Sequence, residues 1–302
     1  MAANPTAKTW TAPEPTKPRP HALMRKLEAF EGLDGAADVI SKKFRDALGR
    51  QPLKDLLSGT WLGHSLHPLM TDVPIGAWTS AVLLDHLGGE DAEGASDLLV
   101  GVGLAAAGPT ALAGWSDWAD STVGNKPVSR VGLVHAASNI TAVGLYAASL
   151  LARRRGARRT GKLLGLAGAG ALGTGGYLGG HLSLVQGIGV DQTAFEGRPG
   201  DWTDAAVASE LTEGRPHVST VEGADVLLVR EGERVFALAN TCTHRGGPLS
   251  DGEVSEGCVE CPWHGSRFRL SDGSVEQGPA TTPQPAYDVR ERDGRVEVRA
   301  RR

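Results

Sequence analysis

Two short stretches near the C-terminus hold metal-binding side chains at informative spacings: Cys242-Thr-His-Arg-Gly-Gly-Pro-Leu249 and Cys261-Pro-Trp-His-Gly-Ser266, with sixteen residues between His244 and Cys261. Each contributes one thiolate and one imidazole, Cys242 with His244 and Cys261 with His264. Two thiolates on one iron and two neutral imidazoles on the other make a [2Fe–2S] centre with a raised potential, about −150 to +300 mV, because imidazole brings no negative charge. A Cys2His2 zinc site uses the same ligand types. Zinc fingers, however, place the two cysteines in one element and the two histidines in another, whereas here each loop holds one of each. Gly246, Gly247 and Gly265 suit loops that bend tightly around an inorganic core and aim backbone N–H groups at sulfur.

The chain has three cysteines, at 242, 258 and 261, all in this stretch. They cannot form a fully paired disulfide framework, which points to metal ligation in a reducing compartment. Cys258 lies in the strand-like run Gly257-Cys-Val-Glu260 and reads as a small buried residue. With their Gly-Gly-Pro-Leu and Pro-Trp-His-Gly flanks, the two loops resemble the Rieske domain family, over about residues 200–302. The resemblance implies Cys242 and Cys261 on one iron, His244 and His264 on the other, and exposed imidazole edges as the electron exit. Respiratory and photosynthetic members carry an extra cysteine in each loop, joined as a disulfide; Gly247 and Trp263 stand in these loops instead, as in the ferredoxin or oxygenase-associated branch. Rieske oxygenases continue into a mononuclear-iron domain. Thirty-eight residues follow His264, without a two-His-one-carboxylate set, so no oxygenase activity is expected of this polypeptide alone. Ser266 is expected either to donate a hydrogen bond to cluster sulfur or to cap its loop.

The elements that carry these loops are short strands. Asp225–Arg230, Arg234–Leu238 and Arg295–Arg299 are β-branched runs bounded by turn residues such as Glu231-Gly232 and Asp293-Gly294. The expected fold class is therefore α + β multidomain, a four-helix transmembrane bundle followed by a small all-β Rieske domain. Residues 1–22, with four prolines between 13 and 20, read as a disordered tail, and 23–57 as an amphipathic basic helix or helices. Lys42, Lys43, Arg45 and Arg50 on its polar face suggest a membrane surface. Residues 58–185 read as a four-span membrane domain, 186–201 as a Gly-rich linker and 202–302 as the Rieske domain.

The four apolar segments run roughly 67–87, 97–116, 130–152 and 161–183, each near the ~20 residues that cross a bilayer. A water-soluble bundle is the alternative. Eight glycines between 165 and 180 argue against it, since each costs a soluble helix on the order of 1 kcal/mol relative to alanine, while small residues let membrane helices pack closely. Trp61, Trp115 and Trp118 flank the segments as an interfacial belt would.

In an up-down bundle His64, His67 and Asp72 at the start of the first span, Asp117 at the end of the second, His135 in the third and His181 closing the fourth share one membrane face, from which the Rieske domain emerges. His86 lies at the other. Ionisable groups at membrane depth are functional candidates. His64, His67, His135 and His181 are therefore candidate residues for a haem b, metal or quinone site, with His67 and His135 foremost because each adjoins apolar sequence. The resemblance of Trp61–Gly76 to a poorly characterised family of four-span bacterial membrane domains, some of them fused to Rieske domains, supports the architecture more than any activity. Many of its members carry a histidine where Asp72 stands.

A net charge of −4 gives no reason to expect a nucleic-acid partner. The expected partners are membrane lipid and a redox partner protein or quinone. Orientation is divided: the basic run from Arg153 to Lys162 would place that loop in the cytoplasm, whereas Lys42 to Lys54 argues the reverse. No export signal precedes the chain's first helix, which favours a multi-pass protein of the cell membrane with a cytoplasmic Rieske domain. The leading expectation is a membrane-bound electron-transfer protein; the alternative is a ferredoxin-type module serving a separate reductase or oxygenase, with the helices only an anchor.

Overall fold

The computed structural model describes residues 19–301. Most of the expected tail, residues 1–18, lies outside the described residues. Helix α1 (Arg19–Glu28) begins four residues before the helical stretch expected from 23, since Pro20 in a first turn removes no helical hydrogen bond. It is followed by α2 (Asp34–Leu48) and the short α3 (Leu53–Ser58). Four long helices come next: α4 (Leu66–Leu87), α5 (Glu93–Ser121), α6 (Lys126–Arg154) and α7 (Arg158–Leu184). The Asn125 side chain accepts the Val128 N–H to start α6, with Pro127 in its first turn.

Two stretches are long and apolar enough to cross a membrane, Glu90–Ser121 and Lys126–Arg154. Only 22% of each apolar window is buried within the protein, so large apolar side chains such as Leu98, Leu112 and Ile140 face outward. Helices α4 and α7 fall short of that hydropathy. The first carries two histidines, two prolines and Asp72, and the second uses glycine where a spanning helix would use leucine.

The helices pair as two hairpins, α4 with α5 and α6 with α7. Trp78 of α4 stacks on Tyr146 of α6, with ring centres 4.3 Å apart at 11°. This stack needs glycine on both flanks: a Cβ at Gly103 would sit 2.2 Å from the Trp78 indole, and one at Gly168 would sit 2.9 Å from the Tyr146 ring. Pro74 has no N–H for the Met70 carbonyl. The Thr110 hydroxyl of α5 supplies the missing donor at 3.1 Å, shared with Ala106 O, and so ties α4 to α5.

At one end of the bundle, Arg153 is wholly buried between Asp85 and Asp97, with Ser96 and Ser149 completing its hydrogen bonds. Arg158 binds Asp97 and Glu93, so two cations of the basic loop are neutralised inside the fold. His86 is exposed at this end.

The other end is capped by α1 to α3. Phe44 of α2 stacks on Trp115 at 4.3 Å, and Trp118 is buried beside it. Arg45 donates to Ala119 O and Thr122 Oγ1. Trp115 and Trp118 therefore do not form the expected interfacial belt, because α2 covers them, while Lys42, Lys43, Arg45 and Arg50 stay exposed. Trp61 alone of the three tryptophans is largely exposed.

Residues 203–300 form ten strands in three antiparallel sheets. The first has order β1 (Thr203–Val207), β10 (Arg295–Ala300), β9 (Tyr287–Arg292), and the second has order β2 (His217–Val221), β3 (Ala224–Glu231), β4 (Arg234–Ala239). They enclose one core around Val226, Leu228, Val296 and Val298. The third sheet, β5 (Val254–Ser255), β6 (Cys258–Glu260), β7 (Arg267–Arg269), β8 (Val275–Gln277), carries the loop with Cys261 and His264. The three strand runs read from the sequence are β3, β4 and β10. The connector, residues 186–201, is not a loose tether: Gln192 N donates to Thr243 O in the loop with Cys242 and His244, and Thr193 is fully buried.

Candidate metal centre and the seam beneath it

The loop between β4 and β5 carries Cys242 and His244, and the turn from β6 to β7 carries Cys261 and His264. Each loop closes on itself in the same way. Gly246 N donates to Cys242 O and Gly265 N to Cys261 O, with both glycines at positive φ, +76° and +73°. Cys242 N pairs with Gly247 O, and Cys261 N with Ser266 O. A Cβ at Gly247 would lie 3.0 Å from Cys261 Sγ, so the close approach of the loops requires glycine there.

Both cysteines are buried and free. The Cys242 thiol bonds to Cys261, which holds the Cys261 thiol down at about 7 and pushes Cys242 up. Backbone amides of His244 and Arg245 bear on Cys242 sulfur, and those of Trp263 and His264 on Cys261 sulfur. Burial pushes the His244 imidazole well below its ordinary range and lowers His264 in the same direction, so both are neutral, the form that binds metal.

The two imidazole rings are perpendicular, with centres 5.0 Å apart. The Nδ1 atoms of both are buried and have no hydrogen-bond partner. His264 Nε2 lies 3.0 Å from the backbone carbonyl of Asp120. A carbonyl only accepts, so Nε2 carries the proton and Nδ1 keeps a bare lone pair. Two unpartnered imidazole nitrogens and two buried free thiols, carried on the same two loops, are a donor set that fits a [2Fe–2S] centre with mixed ligation.

The contact to Asp120 corrects the expectation of exposed imidazole edges. The centre is docked on the capped end of the helices, and His264 rests on the end of α5. Arg245 binds Ser121 Oγ. Gly278 N donates to Asp55 Oδ1 at 2.7 Å, and Thr60 Oγ1 donates to Ala280 O at 3.2 Å, so the loop after β8 sits on α3. Below, Lys54 and Asp120 form a buried pair at 2.6 Å, with Lys54 also donating to Ser116 Oγ. Trp263, beside His264, remains the exposed aromatic of the loop. The sequence reading missed Lys54, Asp55, Asp120 and Arg245. Its available signal was charge set in apolar surroundings, Lys54 before Leu56-Leu57 and Asp120 after Trp118-Ala119.

The seam leaves a small cleft of about 40 Å³ beside His244, lined by Ser65, Asp117, Asp191, Thr243, Arg245 and Thr282. That is room for a few waters and far below what a quinone headgroup needs. Of the four bundle histidines, the structure brings two together. His67 and His135 have ring centres 6.4 Å apart. His64 is exposed and contacts its neighbour's carbonyl, Ser65 O. His181 is taken up by Glu28 of α1 at 2.8 Å. Neither joins the pair: His64 precedes α4 and is exposed to solvent, and His181 is turned toward α1. Asp72 is exposed.

Comparison with known proteins gives two family matches. Residues 201–288 match the Rieske [2Fe–2S] domain, and residues 63–192 match a family described as predicted membrane proteins, DUF2231. The chain is 33% identical over 98 residues to the anthranilate 1,2-dioxygenase ferredoxin subunit of Burkholderia cepacia, covering 32% of this chain and 91% of that protein. It is 30% identical over 98 residues to ferredoxin CarAc of Metapseudomonas resinovorans, covering 92% of it. Among solved structures, the ferredoxin of carbazole 1,9a-dioxygenase from Nocardioides aromaticivorans is 31% identical, with 34% of this chain and 100% of that chain covered and a TM-score of 0.33.

Proposed function

We propose, from the premise that the chain belongs to the Rieske [2Fe–2S] domain family, that it is a membrane-bound one-electron carrier whose cluster is held by Cys242, Cys261, His244 and His264. Ferredoxin relatives of dioxygenase systems imply electron transfer for the C-terminal domain. The observation that carries the residue assignment is the pair of buried, unpartnered Nδ1 atoms of His244 and His264 on the same two loops as two buried free thiols. When bound, the cluster supplies a one-electron centre of raised potential. The protein's own part is to exclude water with Leu249, Val259 and Phe268, to aim amides at sulfur, and to hold His264 through Asp120. The purified protein reduced with dithionite is expected to contain two non-haem irons per chain and a Rieske-type paramagnetic signal. Zinc in place of iron would overturn the assignment.

Ser266 is fully buried, and its Oγ accepts the Ala280 N–H at 2.9 Å, which leaves the hydroxyl proton free to point at cluster sulfur. Ser266→Ala is expected to lower the midpoint potential by about 40 mV, the equivalent of one hydrogen bond of about 1 kcal/mol. An unchanged midpoint would leave Ser266 only its role in receiving Ala280.

The membrane reading takes all four helices, α4 to α7, as spans, with lipid around the outward leucines and isoleucines and the Rieske domain in the cytoplasm. The DUF2231 match and the outward-facing apolar surface of α5 and α6 support it. The chain is expected to stay with membranes through an alkaline carbonate wash and to leave with detergent. A C-terminal reporter is expected to be active only in the cytoplasm, and activity only in the periplasm would reverse the orientation. A second reading, a ferredoxin module for a separate oxygenase or reductase, draws on the dioxygenase ferredoxins, with exposed Trp263 as the docking residue. Reduction of the cluster by membrane quinol would favour the first reading over the second.

A further inference from the structure

We infer that His67 and His135 are the axial ligands of a b-type haem inside the helical bundle, an assignment that rests on the membrane electron-carrier reading for its setting but on ring geometry for its residues. An imidazole nitrogen binds a first-row metal at about 2.0–2.1 Å, and the ring centre lies about 1 Å behind it. Two imidazoles on opposite sides of one metal thus hold their centres roughly 6 Å apart, and two on a tetrahedral metal roughly 5 Å apart. His67 and His135 stand at 6.4 Å, the opposed spacing, with ring planes at 85°. His244 and His264 stand at 5.0 Å, the tetrahedral one.

The hydrogen bonds select the same nitrogen on both rings. His67 Nδ1 is 3.0 Å from Thr110 O, and His135 Nδ1 is 2.8 Å from Gly175 O. Carbonyls accept, so both Nδ1 atoms are protonated and both Nε2 atoms are left for a metal, the usual orientation of a ligating histidine. The Asn139 amide, 3.2 Å from His135 Nε2 and also bonded to His135 O, is the group that ligation would displace. Glycine faces each ring from the neighbouring helix: a Cβ at Gly114 would lie 2.7 Å from His67, and one at Gly179 would lie 3.1 Å from His135.

The ligand count names the cofactor class. Among the described residues, the hydrogen-bond and ring contacts of the pair are Thr110 O, Gly175 O, Asn139 and each other, and none of these is a further His, Cys, Asp or Glu that could serve as a third ligand. A metal with two opposed protein ligands must take its four equatorial ligands from elsewhere, and a porphyrin supplies four nitrogens. The site is close to the proposed cluster. His67 abuts Gly114 and His264 abuts Asp120, positions separated by about 9 Å of helix rise along α5.

The test uses the full chain, expressed with added 5-aminolevulinate, purified in detergent and examined by optical and paramagnetic spectroscopy with a pyridine haemochrome count. One b haem per chain is expected, with the strongly anisotropic low-spin ferric signal that perpendicular axial imidazoles produce. His67→Ala and His135→Ala should each abolish the Soret band while the reduced-cluster signal persists, which separates loss of haem from loss of fold. His135→Met should keep haem with a shifted spectrum, and His64→Ala and His181→Ala should keep it unchanged. Full cluster content with no Soret band, or a Soret band that survives both alanine substitutions together, overturns the inference. Haem without a cluster would instead overturn the Rieske assignment and leave this one standing.

Discussion

Cys261→Ala is expected to reduce bound non-haem iron from two per chain to near zero and to abolish the cluster signal, whereas Cys258→Ala, three residues earlier, leaves both intact. The two cysteines are both buried and free, yet their surroundings differ. Cys258 is part of strand β6, paired with Ser255 and Arg269, and no imidazole faces it. Cys261 sits where the strand has ended and its amide closes the loop onto Ser266 O, with Cys242, Gly247 and Trp263 against its sulfur. A thiolate there has no substitute, because the only other thiol at the centre is Cys242. The expectation is checked by iron analysis and low-temperature paramagnetic resonance of the two purified variants. Non-haem iron retained in Cys261→Ala would refute the ligand assignment.

Arg153→Met is expected to cost about 3–5 kcal/mol of stability, because it leaves Asp85 as a buried charge without its partner. The side-chain exposures are 0% for Arg153 and 1% for Asp85, and Arg158 reaches Asp85 only at 3.4 Å. Adding Asp85→Asn to Arg153→Met should recover a large part of the loss, since the stranded charge is then gone. Thermal unfolding in detergent measures both. The cluster signal should be unaffected in folded protein, since this network closes the end of the bundle opposite the seam. An Arg153→Met protein as stable as the parent would show that the network contributes nothing net.

The domain that bears the cluster loops was legible because its signals are local. The runs at β3, β4 and β10 are bounded by turns within a few residues, and ligand type and spacing lie within two loops. The helices were legible as apolar segments, yet two of the four do not reach spanning hydropathy, because α4 is interrupted by His, Pro and Asp, and glycine in α7 serves close packing. The α1 start at Arg19 was hidden by a proline that reads as tail chemistry until it is seen in a first turn.

What could not be read from the chain were its long-range pairings. Nothing in Trp115 or Trp118 distinguishes a tryptophan facing lipid from one covered by Phe44, which lies some seventy positions away. Nothing in four histidines on one end of a bundle says that His181 will be claimed by Glu28 and that His64 will face solvent, leaving His67 and His135 as the pair. The sequence by itself determined the metal chemistry, since two Cys-x-His and Cys-x-x-His loops with their glycines admit few other uses. Only the tertiary structure decided where that chemistry is presented: His264 is held by a carbonyl of α5, Arg245 by Ser121 and the loop at Gly278 by Asp55. The physical reason is that ligand identity is a property of side chains, whereas a hydrogen bond to a backbone carbonyl depends on which helix end is brought beneath the loop, and no residue type encodes that.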